Sequence, residues 1–113
     1  DPPAILVCVN RATSIHASLN PTAPLSVNLL SSHQRDVSAA FGGGMPHDER
    51  FGIGSWAIGS NGLPRLEEAQ ANLSCVIDTM IAYGTHSIVI ARVLEARVSD
   101  SVAPLIYQDG AYL

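Results

Sequence analysis

Few residues in this chain have types and spacings that could support chemistry. The loop Asn10-Arg11-Ala12-Thr13-Ser14 gathers a carboxamide, a guanidinium and two hydroxyls behind an apolar run. Such a loop can hold a phosphate through charge-assisted hydrogen bonds. Strand-end loops also carry this composition without binding anything. The stretch FGGGMPHDERF, residues 41 to 51, sets three glycines between an aromatic residue and a charge cluster. A phosphate loop needs its glycines after a strand and before a helix N-terminus, where N–H groups converge on the anion. Here the glycines follow a helical pattern and lead into Met45-Pro46, so that chemistry is excluded. Two readings remain for the run: a loop that leaves a helix, or a surface whose missing β-carbons let a ligand approach the backbone.

His16, His33, His47 and His86 are widely separated, and no two share a helical metal-ligand spacing. The first three read as surface or cap-region side chains. His86 stands at a strand entrance after Gly84-Thr85, where an imidazole either hydrogen-bonds an anionic or amide-bearing ligand or is satisfied by the turn backbone. Asp48-Glu49 reads as a solvated pair of loop acids. No local motif places a serine or cysteine nucleophile beside a base. Cys8 and Cys75 are far apart, in no CxxC spacing, and both lie in apolar runs. They are expected to be buried free thiols in a reducing, cytoplasmic setting.

The elements that would position these residues are mostly strands. Ala4 to Asn10 is a continuous apolar run, predicted to be a strand buried on both faces. Pro24 to Leu30 alternates, with Leu25, Val27 and Leu29 on one face. Between them, Ser14 to Leu19 predicts a short helix ended by Asn20-Pro21. Ser31 with Gln34 fits a capping box, and Val37, Ala40 and Phe41 follow at helical spacing up to a stop at Gly42. Residues 71–81 and 88–98 alternate over long stretches joined tightly by Tyr83-Gly84-Thr85-His86. Asp109-Gly110 predicts a last hairpin turn between residues 104–107 and 111–113. The sum is a mainly β fold, a small barrel of antiparallel strands with one or two short helices.

With 113 residues, 47% hydrophobic and 14% charged, the chain is expected to form one globular domain. All six basic residues are arginines, set against ten acids, and they form no stripe; a nucleic-acid partner is not expected. No apolar run reaches the roughly 20 residues of a membrane helix.

Taken in order, Asp1-Pro2-Pro3 running into Val7-Cys8-Val9-Asn10-Arg11, Ser26-Val27-Asn28-Leu29-Leu30 with Gln34, Phe41, Glu49-Arg50-Phe51, Trp56, Gly84-Thr85-His86 and Pro104-Leu105-Ile106-Tyr107 resemble the flavin reductase-like family. The resemblance spans residues 1–113. It implies an FMN-binding split β-barrel, usually a homodimer, that uses NADH or NADPH to reduce FMN or FAD for a partner flavin-dependent monooxygenase. An electron carrier or sensor on the same barrel, with no productive nicotinamide site, is the alternative. By position, the resemblance implies flavin contacts from Asn10, Arg11 and Ser14, with Ile15 and His16 beside them, and from Phe41 and Gly42 at the helix end. It implies nicotinamide-nucleotide contacts from His86 and Tyr107. Thr85 stands where many relatives carry an acid. Residues that in relatives precede Asp-Pro-Pro and line the flavin ring are not in this sequence, so part of the barrel is expected to lie outside it.

Overall fold

The computed structural model describes residues 1–113. Its main sheet has four antiparallel strands in the order β1 (Ala4–Asn10), β6 (His86–Val98), β5 (Ala71–Tyr83) and β2 (Pro24–Leu29). The two 13-residue strands β5 and β6 form the central hairpin, closed by Gly84 and Thr85. Register shifts at Ser74/Cys75 and Ile77/Thr79 leave one extra residue on each strand, and such bulges bend and twist a sheet. The inner face carries Cys75, Ile77, Val89 and Ala91, closed over by Leu19 and Leu25.

Two small units pack beside the sheet. Helix α1 (Arg35–Ala39) runs into a wide last turn, Ala40–Gly44, and is followed by a 3-10 turn, His47–Gly52. The ribbon of β3 (Trp56–Ile58) and β4 (Pro64–Leu66) lies next to it. Val37, Leu66 and Ala69 form a second core there, with Phe41 and Trp56 against it. The C-terminal hairpin, β7 (Tyr107–Gln108) and β8 (Ala111–Tyr112), turns through Asp109 and Gly110, both with positive φ, as the Asp-Gly pair predicts.

Several expectations need correction. β1 is an edge strand, and only alternate residues turn inward: Leu6 is 62% exposed and Cys8 is exposed, while Ile5 and Val9 pack on the core. An unbroken apolar run suits an edge strand with an apolar outer face as well as it suits a doubly buried one. Only one thiol is therefore buried, Cys75, whose pKa burial pushes up. Ser14–Ser18 is a 3-10 turn. The helix begins at Arg35, and only half of the capping box forms: the Gln34 Oε1 accepts from the Ser31 N–H at 2.9 Å, but the Ser31 hydroxyl donates to the Glu68 carbonyl instead. The helical path passes Gly42 and ends in the left-handed region at Gly43 (φ 107°). On β2, Leu25 is buried and Val27 half-buried, while Leu29 at the strand end is exposed.

Candidate functional site

The β1–β6 register decides where the polar loop goes. Asn10 stands opposite His86, and Tyr83 faces His86 from the other side, so the loop that leaves β1 lies against the β5–β6 turn. The Arg11 N–H donates to the Thr85 carbonyl at 2.9 Å, and the Arg11 guanidinium donates to the Gly84 carbonyl at 3.1 Å. Asn10 Oδ1 accepts from the Ala12 N–H, which tightens the loop. The result is an open polar cavity of about 510 Å³ lined by Asn10, Arg11, Ala12, His16, Gly84 and Thr85.

His86 is exposed beside this cavity, its Nδ1 sharing a 2.8 Å hydrogen bond with the Thr85 hydroxyl. His16 is half-buried, and its Nε2 shares a 2.8 Å bond with the hydroxyl of Ser87, which is 3% exposed. A buried hydroxyl needs a partner, so this bond pins the Ser14–Ser18 turn to β6.

A second cavity, about 440 Å³ and mostly apolar, opens on the other side of that turn, where the two cores meet. Ile15 and Leu25 line one wall, Val37 and Ser38 of α1 another. Its aromatic wall is a cluster of three rings: Phe41, Phe51 and Trp56, with centroids 5.0 to 5.3 Å apart. The Trp56 indole N–H donates to the Ile53 carbonyl at 2.8 Å and so fixes the ring. Arg50 makes no ion pair; its guanidinium donates to the Met45 carbonyl. Ser26 and Asn28 of β2 add polar groups to the wall.

The structure thus gathers Asn10, Arg11 and His16 with the Gly84–His86 turn, and Ile15 with Phe41 in the neighbouring cavity. Ser14 starts the turn between them but lines neither cavity. Gly42 also lines neither, and a β-carbon there would meet open space. Tyr107 lies on the C-terminal hairpin, 65% exposed and stacked edge-on against Tyr112 at 5.2 Å. Tyr112 carries that hairpin onto α1 through a 2.7 Å bond to Ser38 and a stack under Arg35. Nothing in the sequence alone places the Phe51–Trp56 pair or Ser38 on a cavity wall. For Ser26 and Asn28 a signal existed, since they fill the face of β2 that Leu25 and Val27 leave free.

Chemically, the pair of cavities can take a ligand with a flat apolar part and an anionic part. No group of three or more His, Cys, Asp or Glu side chains is placed to hold a metal.

Residues 1–113 match the family model described as a flavin reductase like domain. The chain belongs to the flavin reductase-like family. It is 35% identical over 112 residues to an NADH-dependent FMN reductase, RutF, of Variovorax paradoxus strain S110, a match that covers 99% of this chain and 62% of the relative. It is 37% identical to the reductase component of a FADH2-dependent resorcinol hydroxylase from Rhizobium sp. strain MTP-10005, over 99% of this chain and 63% of that protein. Among solved structures it is similar to BorF, the flavin reductase component of a bacterial two-component tryptophan halogenase, with TM-score 0.89 and 31% identity over 99% of this chain and 72% of BorF. The chain therefore spans under two thirds of the length of these two curated relatives, and its mainly β architecture is that of flavin reductases.

Proposed function

We propose that this protein reduces free FMN or FAD with a nicotinamide nucleotide and passes the reduced flavin to a separate flavin-dependent oxygenase. The observation that carries the reading is the pairing of an aromatic-walled cavity with an arginine-bearing polar one across a single short turn. The donor set fits a flavin. Ile15, Phe41, Phe51 and Trp56 offer the apolar surface that a planar ring needs, and Arg11 with Asn10 offers charge-assisted donors for a phosphate. A bound flavin would supply the hydride chemistry, and the chain supplies position and electrostatics.

Within this reading residues 1–113 act as one flavin reductase-like domain. Asn10, Arg11, Ile15, His16 and Phe41 contact the flavin, with Ser14 and Gly42 flanking the cavities that it fills; His86 takes the nicotinamide nucleotide, with Tyr107 reaching it from the C-terminal hairpin. The relatives' NADH-dependent and two-component activities support NADH as donor and an oxygenase as recipient. A homodimer is supported by the outer face of the sheet, where Leu6 and Cys8 of β1 and Ile81 and Tyr83 of β5 lie exposed on the two strands that flank β6. Apolar patches of this kind mark association surfaces. An exposed free thiol at Cys8 supports a reducing, cytoplasmic location. No helix of the structure is long and apolar enough to cross a membrane.

The test is oxidation of NADH and NADPH, followed by loss of reduced-nicotinamide absorbance, with FMN or FAD added. Turnover that requires added flavin supports the reading. Tight flavin binding with no turnover on either nucleotide would instead favour an electron carrier on this fold.

A further inference from the structure

The polar groups on the aromatic cavity's wall are not equivalent. The Ser26 hydroxyl is engaged with Asn61 at 3.1 Å, and the Ser38 hydroxyl with Tyr112. Asn28 differs. Its Oδ1 accepts twice, from the Leu66 backbone N–H at 3.2 Å and from the Asn72 carboxamide at 2.8 Å. A backbone N–H can only donate, so the atom that faces Leu66 must be the oxygen, and this settles which way the Asn28 amide points. Asn72 stands directly opposite Asn28 in the β2–β5 ladder and is itself held by donating to the Leu66 carbonyl at 3.0 Å. The orientation of Asn28 is therefore locked from two sides. Its Nδ2, with two N–H donors, meets no acceptor in the chain, although Asn28 is half-buried on the cavity wall.

We infer that Asn28 is a specificity-determining residue that donates from Nδ2 to an acceptor on the pyrimidine edge of the flavin ring, and that Asn72 is the residue that positions it. This rests on the flavin-reductase reading above. The pyrimidine edge offers only carbonyl oxygens, an imide N–H and imine nitrogens, so a fixed donor in a mostly apolar wall selects for that edge. An unpaired donor in such a wall loses its hydrogen bond to water without replacement whenever an apolar molecule enters. The same group thus favours a flavin over a purely hydrocarbon ligand of similar shape.

The experiment uses the full chain and FMN. Asn28→Asp keeps the shape and the acceptor toward Leu66, and it replaces the donor by a second acceptor. The expected result is affinity for oxidised FMN about tenfold weaker or more, since one lost hydrogen bond and one repelled acceptor lie on the same atom. Asn72→Asp changes no wall residue, yet it favours a flipped Asn28 amide; it is expected to weaken FMN binding in the same direction. As a readout independent of whether the variants fold, the Asn28 side-chain amide resonance of the unmutated protein, assigned through bonds from its backbone, is expected to move on FMN titration. FMN binding with an unmoved Asn28 amide resonance, or unchanged affinity in folded Asn28→Asp, overturns the inference and leaves the flavin reading standing. No FMN binding by the unmutated protein overturns both.

Discussion

Gly42, Gly43 and Gly44 are consecutive, and the structure gives them three different reasons for being glycine. A β-carbon at Gly42 would meet nothing within 4 Å, and its φ is ordinary. At Gly43 the backbone sits at φ 107°, where an L side chain is strained. At Gly44 a β-carbon would lie 2.5 Å from the Ala39 carbonyl oxygen and 3.2 Å from its carbon, and both are backbone atoms that cannot swing aside. Replacing each by alanine should therefore separate them. Gly42→Ala is expected to stabilise by about 0.4–1 kcal/mol through the unfolded chain's lost freedom. Gly43→Ala should destabilise by about 1–2 kcal/mol from left-handed strain. Gly44→Ala should destabilise by about 1–3 kcal/mol, because the last turn must open to admit the methyl group. Thermal unfolding followed by circular dichroism reads the series; at about 4 °C per kcal/mol, Gly42→Ala and Gly44→Ala should melt some 5 to 15 °C apart. Indistinguishable melting temperatures, or Gly44→Ala as the most stable of the three, would refute the steric reasoning. A companion variant tests the ligand side: Gly42→Val should keep the fold, so weaker flavin binding by it would mean that the open space beside Gly42 is where the flavin lies.

Three further outcomes are expected. In the folded protein a thiol reagent should leave Cys75 unmodified until denaturant is added, because the side chain is 1% exposed and burial disfavours its thiolate; Cys8 should react in dilute protein and become protected as concentration rises, if the outer sheet face pairs two copies. Trp56 is the chain's single tryptophan, so its fluorescence should be quenched on FMN titration beyond what absorption by free FMN explains; no quenching alongside proven binding would remove the flavin from the aromatic cavity. Gln34→Ala should lower unfolding free energy by about 2–4 kcal/mol in urea titration, since it orphans the Ser31 N–H and the Glu67 carbonyl, two backbone groups its side chain now satisfies; a loss under about 0.5 kcal/mol would contradict that accounting.

The residues made some of this legible and withheld the rest for physical reasons. β5 and β6 announced themselves because each alternates over many residues and their two-residue turn carries glycine. β3 and β4 went unread because three residues are too few to show a period. The apolar run of β1 marks a strand but not its surroundings, since Leu6 and Cys8 are apolar on a face that the chain leaves uncovered. In the candidate site, the family resemblance singled out Asn10, Arg11 and His86, and the β1–β6 register brings them to one place. The alternation of β2 puts Asn28 on a polar face, but its readiness to donate is not legible there, because it depends on Leu66 and Asn72, 38 and 44 positions away along the chain. Tyr107 shows the converse: the stretch around it matches the family, yet its ring packs on Tyr112 and lines neither cavity.

The five-residue turn Ser14–Ser18 is a party wall. Ile15 belongs to one room and His16 to the other, and the whole partition hangs on β6 by one hydrogen bond to a buried serine. If one flavin spans both rooms, its ring and its phosphate are linked through that boundary, and a shift of the turn that loosens one grip loosens the other. The gain in affinity of FMN over riboflavin, which lacks the phosphate, then measures the polar room's share. Ser87→Ala, which cuts the wall's anchor without removing a lining residue, should shrink that gain as well as weaken riboflavin binding.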